Sequence, residues 1–135
     1  MTARDIVNDL RQSQFMPTVL LVGNGSSANL TEFGELIDCF DEVVRFNDYA
    51  ERGYDPSSVG TRVTSWVLGD HMPVSCRPKS HESILRITLP ASGREYHADT
   101  VFRREVEGIE NPSSGVVMAD RFIRMKIPIY IFGMD

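Results

Sequence analysis

Apolar positions along this chain change period several times, and each change predicts an element. Val19-Leu20-Leu21-Val22 is an unbroken apolar run ending at Gly23, the pattern of a strand buried on both faces. Beyond the glycine turn, Leu30, Phe33, Leu36, Ile37 and Phe40 fall on one helical stripe, with Asn29 three residues before Glu32 as a cap and capping-box analogue. Upstream, Ile6, Leu10 and Phe15 give residues 1–15 near-helical spacing and predict a short covering helix.

Further strands are predicted over residues 42–46, 62–68 and 84–89, with a last buried strand at Ile129-Tyr130-Ile131-Phe132. The stretch NDYAERGYDPSSVG, between the second and third strands, is long for the fold, and its Gly and Pro forbid regular structure across it. Residues 96–108 and 115–126 read as helices; the second carries Val116, Met118, Ala119, Phe122 and Ile123 and is stopped by Pro128. Strands alternating with helices predict an α/β fold, a Rossmann-like, mostly parallel sheet with flanking helices, as one domain over residues 1–135.

Composition narrows the partners. A chain of 135 residues, 41% hydrophobic and 24% charged, has room for one core. Its net charge of −5, with no basic block, argues against nucleic acid, and Arg103 and Arg104 read as a solvated helix face. Cys39 and Cys76 match no metal-ligand spacing, and no metal motif occurs; two free thiols suit a reducing compartment. No run reaches the ~20 apolar residues of a membrane span, and the polar N-terminus is unlike a signal peptide, so a cytoplasmic location is expected.

The chemistry is concentrated at GNGSSA, residues 23–28, which fits the dinucleotide fingerprint G-x-G-x-x-G/A between a strand and a helix. Asp48 stands near the place of the acid that such a site uses to hold the adenosine ribose. Two features fit a different ligand: Asn47 ends the second strand, and NPSSG opens a second helix with a polar-glycine turn. Asn24, Asn47 and the Ser113-Ser114-Gly115 turn are expected to converge at the carboxyl edge of the sheet. There they offer neutral amides, hydroxyls and a helix N-terminus to an anionic ligand such as a nucleotide sugar.

VGNGSSANLTEFGELIDCFDEVVRFN followed by VGTRVTSW resembles sialylmotif L of the eukaryotic-type sialyltransferases, with Val22, Gly23, Asn24, Ile37, Asp38, Asp41, Val44, Arg45, Asn47, Val59 and Gly60 matching. NPSSGVVMADRFIRMKIPIYIFG is similar to sialylmotif S through Pro112, Ser113, Gly115 and Gly133. The resemblance implies a metal-independent glycosyltransferase on a GT-A-variant, Rossmann-like fold. It would move sialic acid from CMP-sialic acid to a glycan hydroxyl with inversion, and it would need no cofactor beyond that donor substrate. Carried over by position, Asn24 and Asn47 contact the CMP part, and Ser113, Ser114 and Gly115 receive donor phosphate or carboxylate. Asn29 stands near the family's second L-motif asparagine, with two extra residues before it.

The departures are equally specific. The family's disulfide positions correspond to Val19 and Lys126, so that bridge cannot form, and Ser58 replaces the acid of the family's DVG triplet. The motifs that follow motif S in the family, with the histidine that acts as base, are absent; an incomplete C-terminus is expected, with a Golgi membrane setting if the chain is a fragment. His71, His81 and His97 lie outside that motif, Asp70 is as often a turn former as a base, and no catalytic residue is assigned. Arg45 and Arg62 read as loop braces through carboxylates such as Asp41 or Asp48, Trp66 as core, and Gly60 as a turn residue. Two alternatives stand beside the transferase: an NAD-dependent oxidoreductase and a non-catalytic nucleotide-sugar-binding module.

Overall fold

A computed structural model of the chain describes residues 1–14, 17–69, 83–88, 100–102, 108–109 and 113–134. Six strands pair in one sheet: β1 (Val19–Val22), β2 (Glu42–Phe46), β3 (Ser65–Gly69), β4 (Ser83–Thr88), β5 (Thr100–Phe102) and β6 (Ile129–Phe132). Every pairing is parallel and the order is β5-β4-β3-β2-β1-β6, so the Rossmann-like α/β expectation is met. The chain winds outward from β1 to β5 and then returns to place β6 on the other side of β1. The gap between the carboxyl ends of β1 and β6 is therefore the topological switch point, where open parallel sheets hold ligands.

Alternate residues of each strand serve opposite faces. Val19, Leu21, Val44, Phe46 and Val67 pack with Val117 and Met118 of α4 (Ser114–Arg124) on one side. Leu20, Val22 and Val43 pack on the other with Val7 of α1 (Ala3–Gln14), Ile37 of α2 (Gly34–Ile37) and Phe40. β1 is buried along its whole length because both faces are covered, which is why its sequence is uniformly apolar.

Polar clamps hold the opposite end of the sheet. Asp41, just before β2, accepts from Arg11 Nε and Nη2 of α1 and from the backbone N–H and hydroxyl of Thr18. Those hydrogen bonds, led by the one from Arg11, lower its carboxyl to about 2.

The helix expected after the glycine turn is broken. A 3-10 helix, Ser26–Leu30, is followed by extended Thr31 and then the single turn of α2. The Thr31 hydroxyl donates to Ala28 O, and the buried Ser58 hydroxyl donates to the carbonyls of Asn29 and Thr31. Side chains thus occupy carbonyls that a continuing helix would need. Asn29 caps nothing; its Oδ1 accepts from the Asp55 N–H, and Leu30 is 86% exposed.

Other expectations shift too. The loop thought irregular contains a 3-10 turn at Tyr49–Glu51 and α3 (Pro56–Val59), with Asp55 accepting from Ser57 N as its cap. The third and fourth strands begin at Ser65 and Ser83 rather than at 62 and 84. Within the helix expected over 96–108, Thr100–Phe102 is a strand, since a β-branched and aromatic run beside β4 satisfies its backbone in the ladder. The last strand is not buried: β6 is the edge beyond β1, and Ile131 is 57% exposed. Phe15, Asp70, His71, Cys76, His81, Leu89, His97, Arg103, Arg104 and Pro112 lie outside the described residues. No helix among the described residues is long and apolar enough to cross a membrane.

Candidate functional site at the sheet switch point

At the switch point the loops after β1 and β6 are laced together. The N–H of Gly23 donates to Phe132 O at 2.7 Å, and the N–H of Gly25 donates to Gly133 O at 2.8 Å. A Cβ at Gly23 would collide with the Gly133 carbonyl, and Gly133 itself sits at φ 70, so this approach requires glycine on both sides. The lacing uses two backbone donors that a dinucleotide fingerprint would turn toward pyrophosphate. The turn leads into a 3-10 helix, and Asp48 pairs with Arg52 at 3.0 Å. These features weigh against the NAD reading.

Beside the lacing lies a cavity of about 330 Å³ lined by Asn24, Asn47, Arg52, Ser113, Ser114 and Gly115, among others. The five residues singled out in the sequence thus meet around one space. Asn24 Nδ2 donates to the last carbonyl of β2, Phe46 O, at 2.8 Å, which leaves its Oδ1 as an acceptor. Asn47 is oriented the opposite way: its Oδ1 accepts from Gly69 N at 2.9 Å, leaving Nδ2 as a donor. Backbone groups of fixed polarity set both amides, so the cavity wall presents one acceptor and one donor of defined sense. Asn47 adopts φ 51, a left-handed conformation that asparagine tolerates better than most side chains.

The far wall is the start of α4. Ser113 Oγ accepts from Val116 N and Ser113 O accepts from Val117 N, so the N–H groups of Ser114 and Gly115 are the first donors of this helix without a partner among the described residues. With the helix dipole they favour negative charge. Arg52 adds a cation to the cavity's lining. Its Nε pairs with Asp48, which raises its guanidinium above the ordinary value, and its Nη1 reaches Asn24 O at 3.5 Å. Sequence reading passed over Arg52 and Tyr54, whose hydroxyl donates to Asn24 O at 3.0 Å. The four-residue spacing of Asp48 and Arg52 was the available signal; nothing local marked Tyr54.

Gly23 and Asn24 also border a second cavity, of about 240 Å³, on the α2 and α3 side of the sheet. Arg45 of β2 lines it and is 3% exposed. It braces loops as expected, but through carbonyls rather than carboxylates: Nε donates to Arg62 O and Nη2 to Val59 O. Burial lowers its guanidinium, opposed by Asp38 and Tyr49. Arg62 likewise donates to the carbonyls of Phe40 and Asp41. Trp66 is core, with its Nε1 donating to Asn47 O, and Gly60 turns the chain at φ 68.

No family model matches the chain, and no curated protein matches it. Among solved structures, the crystal structure of a mammalian sialyltransferase in complex with Gal-beta-1-3GalNAc-ortho-nitrophenol is similar at a TM-score of 0.63 and 16% identity, over 98% of this chain. The chain spans 65% of that structure's length. At that identity the likeness is one of fold.

Proposed function

We propose that the switch-point cavity binds a nucleotide-sugar donor and that the chain is a sialyltransferase-like glycosyltransferase or the donor-binding part of one. The observation that carries this reading is the convergence of an oriented acceptor, Asn24 Oδ1, an oriented donor, Asn47 Nδ2, and the open N-terminus of α4 on one cavity. An amide pair of opposite sense suits the mixed donors and acceptors of a ribose or pyrimidine edge. The helix start and Arg52, both lining the cavity, suit the phosphate. The motif resemblance and the fold shared with a mammalian sialyltransferase support CMP-sialic acid as that donor and a glycan hydroxyl as acceptor.

In such a transfer the acceptor oxygen attacks the anomeric carbon from the face opposite CMP. The bond to the phosphate oxygen breaks as the new one forms, and its electrons leave with CMP. Negative charge grows on the phosphate, where the Ser114 and Gly115 N–H groups and Arg52 would stabilise it. The acceptor's proton goes to a base, to which no residue is assigned.

Calorimetric titration with CMP, CMP-sialic acid and NAD in parallel tests the reading. Saturable binding of the two cytidine ligands without NAD is expected. Binding of NAD alone, abolished by Asp48→Ala, would return the glycine turn to the oxidoreductases. If the cytidine ligands bind but sialic acid is never transferred to any glycan, the chain is the non-catalytic module.

A further inference from the structure

The second cavity borders the switch-point cavity, and its defining residue is Arg45. A guanidinium carries five N–H donors, and among the described residues only Nε and Nη2 are engaged, each by one backbone carbonyl. No carboxylate pairs with it among the described residues. Asp38 favours its charged form electrostatically, yet the oxygens of Asp38 accept from the backbone N–H groups of Thr61 and Arg62 instead. A cation with 3% exposure and no ion-pair partner among the described residues is an unfavourable arrangement that proteins ordinarily complete with an anion.

The surroundings specify what kind of anion. The Tyr49 ring lies 5.7 Å from the guanidinium carbon, and Tyr54, Val22, Pro56 and Val59 give the cavity aromatic and aliphatic walls. Its volume of about 240 Å³ equals roughly eight water molecules at ~30 Å³ each, enough for one six-membered ring with a substituent. A planar guanidinium fork with free N–H groups matches a carboxylate better than a tetrahedral ion.

We propose that the Arg45 cavity is a second binding site, separate from the switch-point cavity, for a small carboxylate borne on a ring. The carboxylate takes the free N–H groups of Arg45, and the ring lies against the tyrosines and Val59. Gly23 and Asn24 form the wall shared with the switch-point cavity, so occupancy of the one site is positioned to alter the other.

The test is a nitrogen-resolved NMR titration of the full chain with benzoate and, separately, inorganic phosphate, following Arg45 Nε and the amides of Ala50 and Thr61. Benzoate should shift these signals saturably. Ala50→Phe, at an exposed position lining the cavity, should weaken that binding at least tenfold while the remaining spectrum reports an intact fold. Arg45→Lys, which keeps the charge but loses the fork, should also weaken it. Absence of saturable shifts would overturn the proposal, as would undiminished binding by a folded Ala50→Phe variant. Phosphate binding as tightly as benzoate would overturn the carboxylate assignment.

Discussion

At the scale of single residues, the charged letters that carry the motif resemblance are structural clamps. Asp38 gathers the N–H groups of Thr61 and Arg62, Asp41 ties α1 to the start of β1, and Arg45 holds the carbonyls of Val59 and Arg62. Ser58, in place of an acid, donates to two carbonyls, a role no carboxylate could fill. Asn24 and Asn47 differ because each keeps half an amide unspent. Replacing Asn47 by Asp retains the acceptor for Gly69 N, removes the Nδ2 donor and adds a charge near the start of α4. Asn47→Asp should therefore unfold close to wild type while its affinity for CMP falls more than tenfold, or about 1.4 kcal/mol, by calorimetry. Asn47→Ala should lose both affinity and stability, the latter by about 1–2 kcal/mol for the left-handed backbone alone, measured by urea unfolding.

At the scale of elements, the strands β1 and β2 were legible because burial on both faces leaves an apolar run with few readings. The helix after the glycine turn was not. Its apolar stripe is real, yet Thr31 and Ser58 intercept its carbonyls, and Ser58 lies too far along the sequence for any local pattern to reveal it. β5 was misread for a related reason: a short strand that gains its partner from β4 carries little period of its own. The convergence of Asn24, Asn47 and the α4 start was readable because strand ends in a parallel sheet share one edge; Arg52 and Tyr54 arrive there through a loop path that no spacing rule predicts. Element contacts also set two stabilities. Gly23→Ala drives a methyl into the Gly133 carbonyl, so thermal unfolding should show a loss of about 1–3 kcal/mol, with CMP binding impaired. The Asp41 clamp, with its carboxyl at about 2 when folded, stabilises fully above about pH 4 and fades as pH falls through 2. Asp41→Asn should cost about 1–2 kcal/mol at pH 7, allowing for solvent screening of this partly exposed pair, and the gap from wild type should close on acidification.

At the scale of the whole molecule, β6 is an edge of the sheet among the described strands, beside the switch-point cavity. β6 pairs only with β1 among the described strands, and Ile131 is among its exposed side chains. Exposed apolar edges template pairing with other chains, so Ile131→Lys should reduce concentration-dependent association, read by light scattering, without lowering the unfolding midpoint.

The position of β6 also governs when the molecule acquires its site. Val19 pairs with Ile129, about 110 residues downstream, and the lacing of Gly23 and Gly25 to β6 waits on that closure. On the ribosome, β1 through β5 emerge before β6 and can begin to assemble, but the wall of the switch-point cavity is finished only when β6 leaves the exit tunnel. A chain arrested upstream of β6 could bury much of its core and still lack the wall of that cavity.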